Sequence, residues 1–319
     1  MFDTWRSNQR LKILSKILKS LYFKKINEAK KALSMLPPEK AKIYIDYETL
    51  GMRLPKRDFF VNPNDEGISA DLYAYKFREP VNTHMIYDFL SSEKDNIDVV
   101  IDIGSNIGYF AFLESLCGFS VIAVEPVPET VHVLKRNLGP HDKLLNVAVA
   151  NRKGKERLYV PTKRNVATLI KDAATIEAPL EYIIDVPTVT VTGLIKEEML
   201  ETANVVLRMD IEGYEEEVLQ GIPKSVYAIL FELHPHILGV EMSKRLIRNL
   251  QSGGFSIEHL IIDPKGAAPL VNLFGLKLFI RLCEIKGSKR VYTNPTINEI
   301  DSVIQSPTVC PHIFAKRNE

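Results

Sequence analysis

The sequence has few cysteines, no long hydrophobic run and almost no net charge. Its three cysteines, Cys117, Cys283 and Cys310, are far apart and form no C-x-x-C pair, which excludes a disulfide-built scaffold and favours a reducing compartment. No uninterrupted apolar stretch is long enough to cross a bilayer, and the N-terminus lacks the apolar core of a secretory signal. We therefore expect a cytoplasmic protein that does not span a membrane.

The near balance of charges excludes a global attraction to polyanions. The chain has 41 Lys and Arg residues against 40 Asp and Glu residues, a net charge of +1. Bulk nucleic-acid binding therefore has no support from composition. With 45% hydrophobic and 25% charged residues, the 319-residue chain has the composition of a globular protein, either two domains or one large domain with an addition.

The N-terminal segment departs from this balance. Residues 1–31 contain nine basic and two acidic residues, a local charge of +7. Within the segment, lysines alternate with leucines at helical spacing, namely Leu11, Leu14, Leu18 and Leu21. This amphipathic basic helix either packs its leucines on the domain behind it or contacts an anionic membrane surface or a charged substrate. We predict a basic helical accessory region over residues 1–69.

From about residue 97, short apolar runs alternate with amphipathic stretches, a pattern typical of repeated βαβ units. It predicts an α/β fold with a mostly parallel sheet and helices on both faces, over residues 70–319, with insertions near 151–190 and 263–308. The predicted strands include Val99–Ile103, 121–124, 144–149 and Val205–Met209.

Residues 269–283 form the most apolar segment, too short and too interrupted to cross a bilayer. They either pack inside the insertion or form a surface patch that contacts lipid or an apolar acceptor.

A glycine loop provides the strongest local motif. It follows a predicted strand, precedes a predicted helix, and contains Asp102, Gly104, Ser105, Asn106 and Gly108. Glycines allow a tight turn and close approach of a ligand, and the helix N-terminus offers free N–H groups. The spacing differs from the G-x-G-x-x-G of dinucleotide-binding proteins, which argues against an oxidoreductase. It suits a cationic ligand without phosphate, such as S-adenosylmethionine.

The next predicted strand ends in Glu125, followed by Pro126. A carboxylate about 20 residues after the glycine loop can accept both ribose hydroxyls of an adenosine. Together, the loop and Glu125 predict a nucleoside-binding site.

A third motif, at another strand-to-helix junction, contains Asp210, Glu212 and Glu215 around Gly213. Carboxylates at the carboxyl end of a parallel strand point into the ligand crevice. These acids could orient the methionyl ammonium, bind an acceptor hydroxyl, bind a divalent ion, or cap the following helix. No pattern is strong enough to assign a set of metal ligands, and we predict none.

His234 follows the next predicted strand, two residues before His236. A histidine at this edge is a candidate general base, although a buried structural histidine fits the pattern equally well. For His236 the structural interpretation is favoured.

Taken together, the motifs resemble FkbM-type S-adenosylmethionine-dependent methyltransferases. The matching residues are the Asp102–Gly108 loop, Glu125-Pro126, the stretch at Ala148, the acidic string from Asp210 to Gly221, and Glu232-Leu-His-Pro. Arg208 stands where the family commonly has lysine.

The resemblance implies a Rossmann-like domain with a seven-stranded sheet and O-methylation of a sugar, glycan or small-metabolite hydroxyl. It also implies that Asp102, Gly104, Asn106 and Glu125 contact the cofactor, and that Glu79 lies near it.

We therefore predict a methyltransferase that uses S-adenosylmethionine to methylate an acceptor oxygen, with Asp210, Glu212 or His234 at the acceptor hydroxyl. One alternative is an RNA or protein methyltransferase that docks through the basic N-terminal helix. Another is a non-catalytic cofactor-binding scaffold that contacts membranes through residues 1–31 and 269–283.

Overall fold

The computed structural model describes residues 20–65, 67–264, 266–306 and 309–318. The helices are α1 (20–34), α2 (Ile68–Tyr75), α3 (Pro80–Ser92), α4 (Tyr109–Leu116), α5 (Pro128–Asn137), α6 (Val191–Glu197), α7 (Glu215–Val218), α8 (Pro235–Leu238), α9 (Val240–Ser252), α10 (Ala268–Phe274), α11 (Leu276–Ile285) and α12 (Ile297–Ile304). The strands are β1 (Lys42–Ile43), β2 (Phe59–Phe60), β3 (Val99–Ile103), β4 (Ser120–Val124), β5 (Lys143–Leu145), β6 (Ala148–Val149), β7 (Gly154–Pro161), β8 (Leu180–Val189), β9 (Val205–Met209), β10 (Val226–Glu232), β11 (Phe255–Ile261), β12 (Val291–Thr293) and β13 (His312–Arg317).

The main sheet has the strand order β12-β11-β13-β10-β9-β3-β4-β5. Strands β5, β4, β3, β9 and β10 pair in parallel, whereas β13 and β12 run antiparallel to their neighbours. The chain proceeds outward from β3 to β5 and then returns to β9 on the other side of β3. Such a reversal opens a crevice at the carboxyl ends of the strands, where α/β proteins bind ligands.

The central strands are mostly apolar because both faces of the sheet are covered, and Asp102 and Arg208 are their buried charged residues. All five residues of β3 and all five of β9 are buried. Along β3, Val100 packs in one hydrophobic core, and Ile101 packs in a second core on the opposite face. A continuous apolar run is what a strand buried on both faces requires.

The prediction of a seven-stranded sheet is wrong, because the main sheet has eight strands. The additional strand, β12, comes from the 263–308 insertion and pairs antiparallel with β11 at the edge of the sheet. Helices α10, α11 and α12 come from the same insertion.

The strand predicted over 144–149 is two strands in different sheets. β5 pairs with β4 in the main sheet, whereas β6 pairs with β8 in a three-stranded sheet of order β6-β8-β7. The chain leaves the main sheet at Asn146, whose side-chain amide donates to the carbonyl oxygens of Glu125 and Pro126 at 2.9 and 3.1 Å. The 151–190 insertion is thus mainly the antiparallel pair β7–β8.

The structure does not confirm a wholly helical N-terminal region. Helix α1 lies in it, but β1 and β2 form a two-stranded ladder there. Ile26 and Leu33 of α1 pack in the same core as Phe112 of α4. Of the predicted leucine stripe, Leu21 is exposed, and the other three leucines lie outside the described residues. Among the described residues, every helix is too short or too polar to cross a lipid bilayer.

Candidate active site

A cleft lies at the carboxyl ends of β3, β4 and β9 and encloses about 670 Å³, open solvent included. Gly104, Asn106, Glu125, Ala148 and Asp210 line it, together with Pro126 and apolar side chains of β3, β4, β6 and β7. The glycine loop, Glu125 and the acidic string therefore meet at this cleft.

The β3–α4 loop forms the floor of this cleft. Gly104 has a φ of +76°, and a Cβ there would collide with the backbone carbonyl oxygen of Asp210. Asn106 also has a positive φ of 51°, and its side-chain oxygen accepts from the N–H of Ile107 at 2.7 Å. Glycine is thus required at position 104 because the two loops touch there.

Glu125 is almost fully buried beside this loop. Its carboxylate oxygens accept from the backbone N–H groups of Asn106 and Val127, each at 2.9 Å. Burial raises the pKa of Glu125 to about 7, although these two hydrogen bonds act in the opposite direction. These two hydrogen bonds fix the orientation of the Glu125 carboxylate, and Glu125 lines the cleft.

Asp102 lies behind the loop rather than in the cleft. It is fully buried, and Arg208 Nη1 lies 3.2 Å from its Oδ1 while Nη2 lies 3.4 Å from Asp210 Oδ2. The Arg208 guanidinium also lies over the ring of Phe110, 4.2 Å from its centroid. Arg208 thus joins β3 to the loop after β9, a bridge that a lysine point charge would not reproduce.

The two other predicted loop contacts, Ser105 and Gly108, also lie behind the loop. The Ser105 hydroxyl donates to the carbonyl of Asp102 and accepts from the N–H of Val124 at 3.1 Å. Gly108 precedes α4 with a φ of +88° and packs against Leu134. Both residues shape the loop from its buried side.

His234 is the centre of a buried ionic cluster next to the cleft. Its Nδ1 donates to Glu215 Oε1 at 2.7 Å, and its Nε2 lies 3.4 Å from Glu212 Oε2 and 3.8 Å from Asp210 Oδ1. Burial lowers the pKa of His234, but Glu212 and Glu215 outweigh burial and raise it well above its ordinary value. The neighbouring carboxylates therefore favour the protonated form of His234.

The same contacts exclude one interpretation of the acidic string, namely that it caps the following helix. Helix α7 begins at Glu215 without a side-chain cap, and Glu215 Oε1 accepts from the N–H of Gly213. The acids therefore do not cap this helix. Burial also raises the pKa of Glu212, against the effect of His234.

Glu79 belongs to a neighbouring network and does not line the cleft. Its Oε1 accepts from Arg78 at 2.6 Å, and its Oε2 lies 3.5 Å from Nε2 of His312 on β13. Burial would raise the pKa of Glu79, but Arg78, His312 and Arg208 together outweigh burial and lower the pKa. Arg78 itself reaches the cleft wall, so Glu79 acts on the cleft through this arginine.

Several groups in this part of the chain could hold a divalent cation. In the described residues, possible ligand atoms converge in three sets: Asp210, Glu212 and His234; Glu232, His234 and Cys310; and Glu79, Glu232 and His312. Carboxylates with one imidazole suit several divalent metals.

Residues from the β7–β8 connection were not predicted from the sequence, yet they close one side of the cleft. Arg164, Asn165, Thr168 and Leu169 line it, and the Thr168 hydroxyl donates to the backbone carbonyl of Glu212 at 3.0 Å. No local motif marks these residues, because the pairing of β7 with β8 brings them over the main sheet.

Comparisons with solved structures found methyltransferases. A tRNA (uracil-54, C5)-methyltransferase of Pyrococcus abyssi in complex with S-adenosyl-L-homocysteine is 12% identical over 70% of this chain and 40% of that one, with a TM-score of 0.36. An rRNA methylase of Streptococcus thermophilus is 10% identical over 74% and 96% of the two chains, with a TM-score of 0.37. TrmK of M. capricolum, in complex with S-adenosyl-homocysteine, is 8% identical over 73% and 68%, with a TM-score of 0.37.

The chain spans 40% of the length of the Pyrococcus abyssi enzyme and 48% of another matching chain, from Streptococcus mutans. The substrates named for these proteins are theirs. No curated protein sequence matches the chain.

The family comparison agrees with the motifs. The model of the methyltransferase FkbM domain matches residues 102–257, a range that begins at Asp102 and includes Glu125, Asp210 and His234. The cofactor of this family is S-adenosylmethionine, as the glycine loop and Glu125 predict. The resemblance to FkbM-type S-adenosylmethionine-dependent methyltransferases that the motifs indicated is therefore confirmed over residues 102–257.

Proposed function

We propose that the protein methylates a hydroxyl oxygen of a sugar, a glycan or a small metabolite, with S-adenosylmethionine as the methyl donor. The main support is the meeting of Gly104, Glu125 and Asp210 in one cleft of an FkbM domain. When bound, S-adenosylmethionine supplies a methyl group on a sulfonium that is already activated for transfer. The protein then needs chiefly to hold and orient two reactants.

The residues of the cleft fit this cofactor. Glu125 would accept the ribose hydroxyls, since its oxygens keep free acceptor capacity beyond their backbone contacts. Gly104 lines the cleft, so its backbone can contact the bound ligand. Asp210 Oδ1 and Asn165 Oδ1 are buried at the cleft without a hydrogen-bond partner among the described residues. Such atoms need partners, and a polar ligand would provide them.

On the acceptor side, we assign the hydroxyl contact to Asp210. It lines the cleft, and its Oδ1, which has no hydrogen bond among the described residues, can accept one from a hydroxyl. Glu212 and Glu215 favour the protonated imidazole, which cannot take up a further proton, so His234 serves as a general base only in its neutral form. In the ionic cluster described above, Nε2 of His234 lies 3.8 Å from Oδ1 of Asp210, so His234 helps to position this carboxylate.

The test is methyl transfer from radiolabelled S-adenosylmethionine to separate pools of glycans, lipids, metabolites, RNA and proteins. We expect label in a glycan or metabolite pool that resists alkaline treatment, because methyl ethers survive alkali and methyl esters do not. Glu125→Ala should weaken S-adenosylhomocysteine binding about tenfold or more in calorimetry, roughly 1.4 kcal/mol. The exposed Glu201→Ala is the matched control.

Other outcomes would identify other functions. Label in RNA or protein would contradict the proposed class of acceptor but would still show methyl transfer. Cofactor binding without label in any pool would favour a non-catalytic scaffold. Unchanged affinity in Glu125→Ala would remove Glu125 from the binding site.

A further inference from the structure

Helices α10 and α11 expose large apolar side chains although their other faces are anchored. The exposed fractions are 70% for Leu273, 43% for Phe274, 45% for Leu278 and 74% for Ile285. On the inner side of the same helices, Val271, Leu276 and Phe279 are buried in the core beneath β3 and α4. The outer side chains therefore add nothing to that core, and leaving them in water is unfavourable.

Unpaired basic side chains lie on the same outer face. At about 100° per residue, Lys277, Leu278, Arg281 and Ile285 fall within one third of the circumference of α11. Lys277, Arg281 and Lys286 are exposed, and within the described ranges none of them forms an ion pair. Glu284 is the one acidic residue in the sequence between Ala268 and Gly287.

We propose that α10 and α11 dock the protein on an anionic lipid surface. Apolar side chains beside cations are what an interfacial helix needs, because the former enter the acyl boundary and the latter contact negative headgroups. Charge complementarity favours this partner over a second copy of the chain, since two such faces would oppose like charges. Residues 1–19 lie outside the described residues, and the proposal depends on α10 and α11 alone.

The experiment is flotation of the full chain with vesicles of phosphatidylcholine, either pure or with about one third phosphatidylglycerol. The protein should float with the anionic vesicles only, and less so in about 0.5 M salt, because salt screens the headgroup charge. Phe274→Glu/Leu278→Glu and Lys277→Glu/Arg281→Glu should each weaken binding about tenfold or more. Ile183→Glu, an exposed apolar residue on β8, is the matched control.

S-adenosylhomocysteine binding, measured on the same samples, verifies folding and separates this proposal from the proposed function. Equal flotation of both double variants and wild type would overturn the docking surface, and so would equal binding to neutral vesicles. A concentration-dependent dimer that the Phe274→Glu/Leu278→Glu variant abolishes would instead show that this face joins two copies.

Discussion

At the residue scale, Glu125 links the chemistry of the cleft to pH. The pKa of this carboxyl is raised to about 7, first by burial. Ribose hydroxyls donate hydrogen bonds, so they bind the ionised carboxylate better than the neutral acid. Since the raised pKa makes the neutral form abundant below pH 7, ligand affinity should fall as the pH decreases through 7.

We therefore expect the affinity for S-adenosylhomocysteine to weaken about tenfold between pH 8 and pH 6, as for a ligand that binds only the ionised form. Isothermal calorimetry across this range measures it. Glu125→Gln is the control, because an amide cannot ionise, and it should bind more weakly at pH 8. The difference between the two profiles cancels the titration of the ligand itself. A flat wild-type profile would contradict the raised pKa.

At the scale of elements, the β3–α4 loop and the β9–α7 loop fix each other. Gly104 leaves no room for a Cβ beside the carbonyl of Asp210, and the N–H of Asp210 donates to the carbonyl of Ile103 at 3.0 Å. The positions of the β3–α4 loop and of Asp210 are therefore coupled through the backbone.

Gly104→Ala should lower the free energy of unfolding by about 3 kcal/mol and abolish measurable S-adenosylhomocysteine binding, since it adds a collision to a strained φ. Gly221→Ala is the matched control, because Gly221 has a φ of +68° and, apart from its chain neighbours, no atom of the described residues lies within 4 Å of an added Cβ. That variant should lose only about 1 kcal/mol and keep full affinity. Urea denaturation and calorimetry measure both. Equal losses in the two variants would show that the contact with Asp210 has no effect of its own.

The sequence predicts the elements whose signals are local. The bounds of β3 and β9 agree with the prediction, because each strand is a largely apolar, buried run followed by a glycine or a polar residue. Glu125 and Asp210 follow from their places after such strands. Periodicity could not divide 144–149, since two short apolar strands in different sheets have the same pattern as one.

Long-range pairing explains what the sequence did not predict. Strand β12 has only three residues and forms because β11 offers an edge. Asp102 has the expected position in the chain, but the partner of its side chain, Arg208, lies 106 residues further along it. Thr168 and Asn165 reach the cleft only through the pairing of β7 with β8.

At the scale of the whole molecule, the cleft lies between two separately packed units. The three-stranded sheet has a small core of its own, built around Val127, Leu158, Val160 and Val186. The segment between β7 and β8 contacts the β9–α7 loop of the main-sheet unit, through the hydrogen bond from the Thr168 hydroxyl to the carbonyl of Glu212. A ligand in the cleft would contact both units and so hold this connection in place.

We therefore expect saturating S-adenosylhomocysteine to slow amide hydrogen exchange in residues 162–179 by about tenfold or more, because binding restricts local opening. Helix α9, none of whose residues lines the cleft, should show a much smaller change. Thr168→Val keeps the side-chain shape but removes the bond to Glu212, so the unliganded connection should exchange faster while Glu125 still binds the ligand. If residues 162–179 exchanged at the same rate with and without ligand, the three-stranded sheet would be a fixed wall rather than a part of the site that responds to binding.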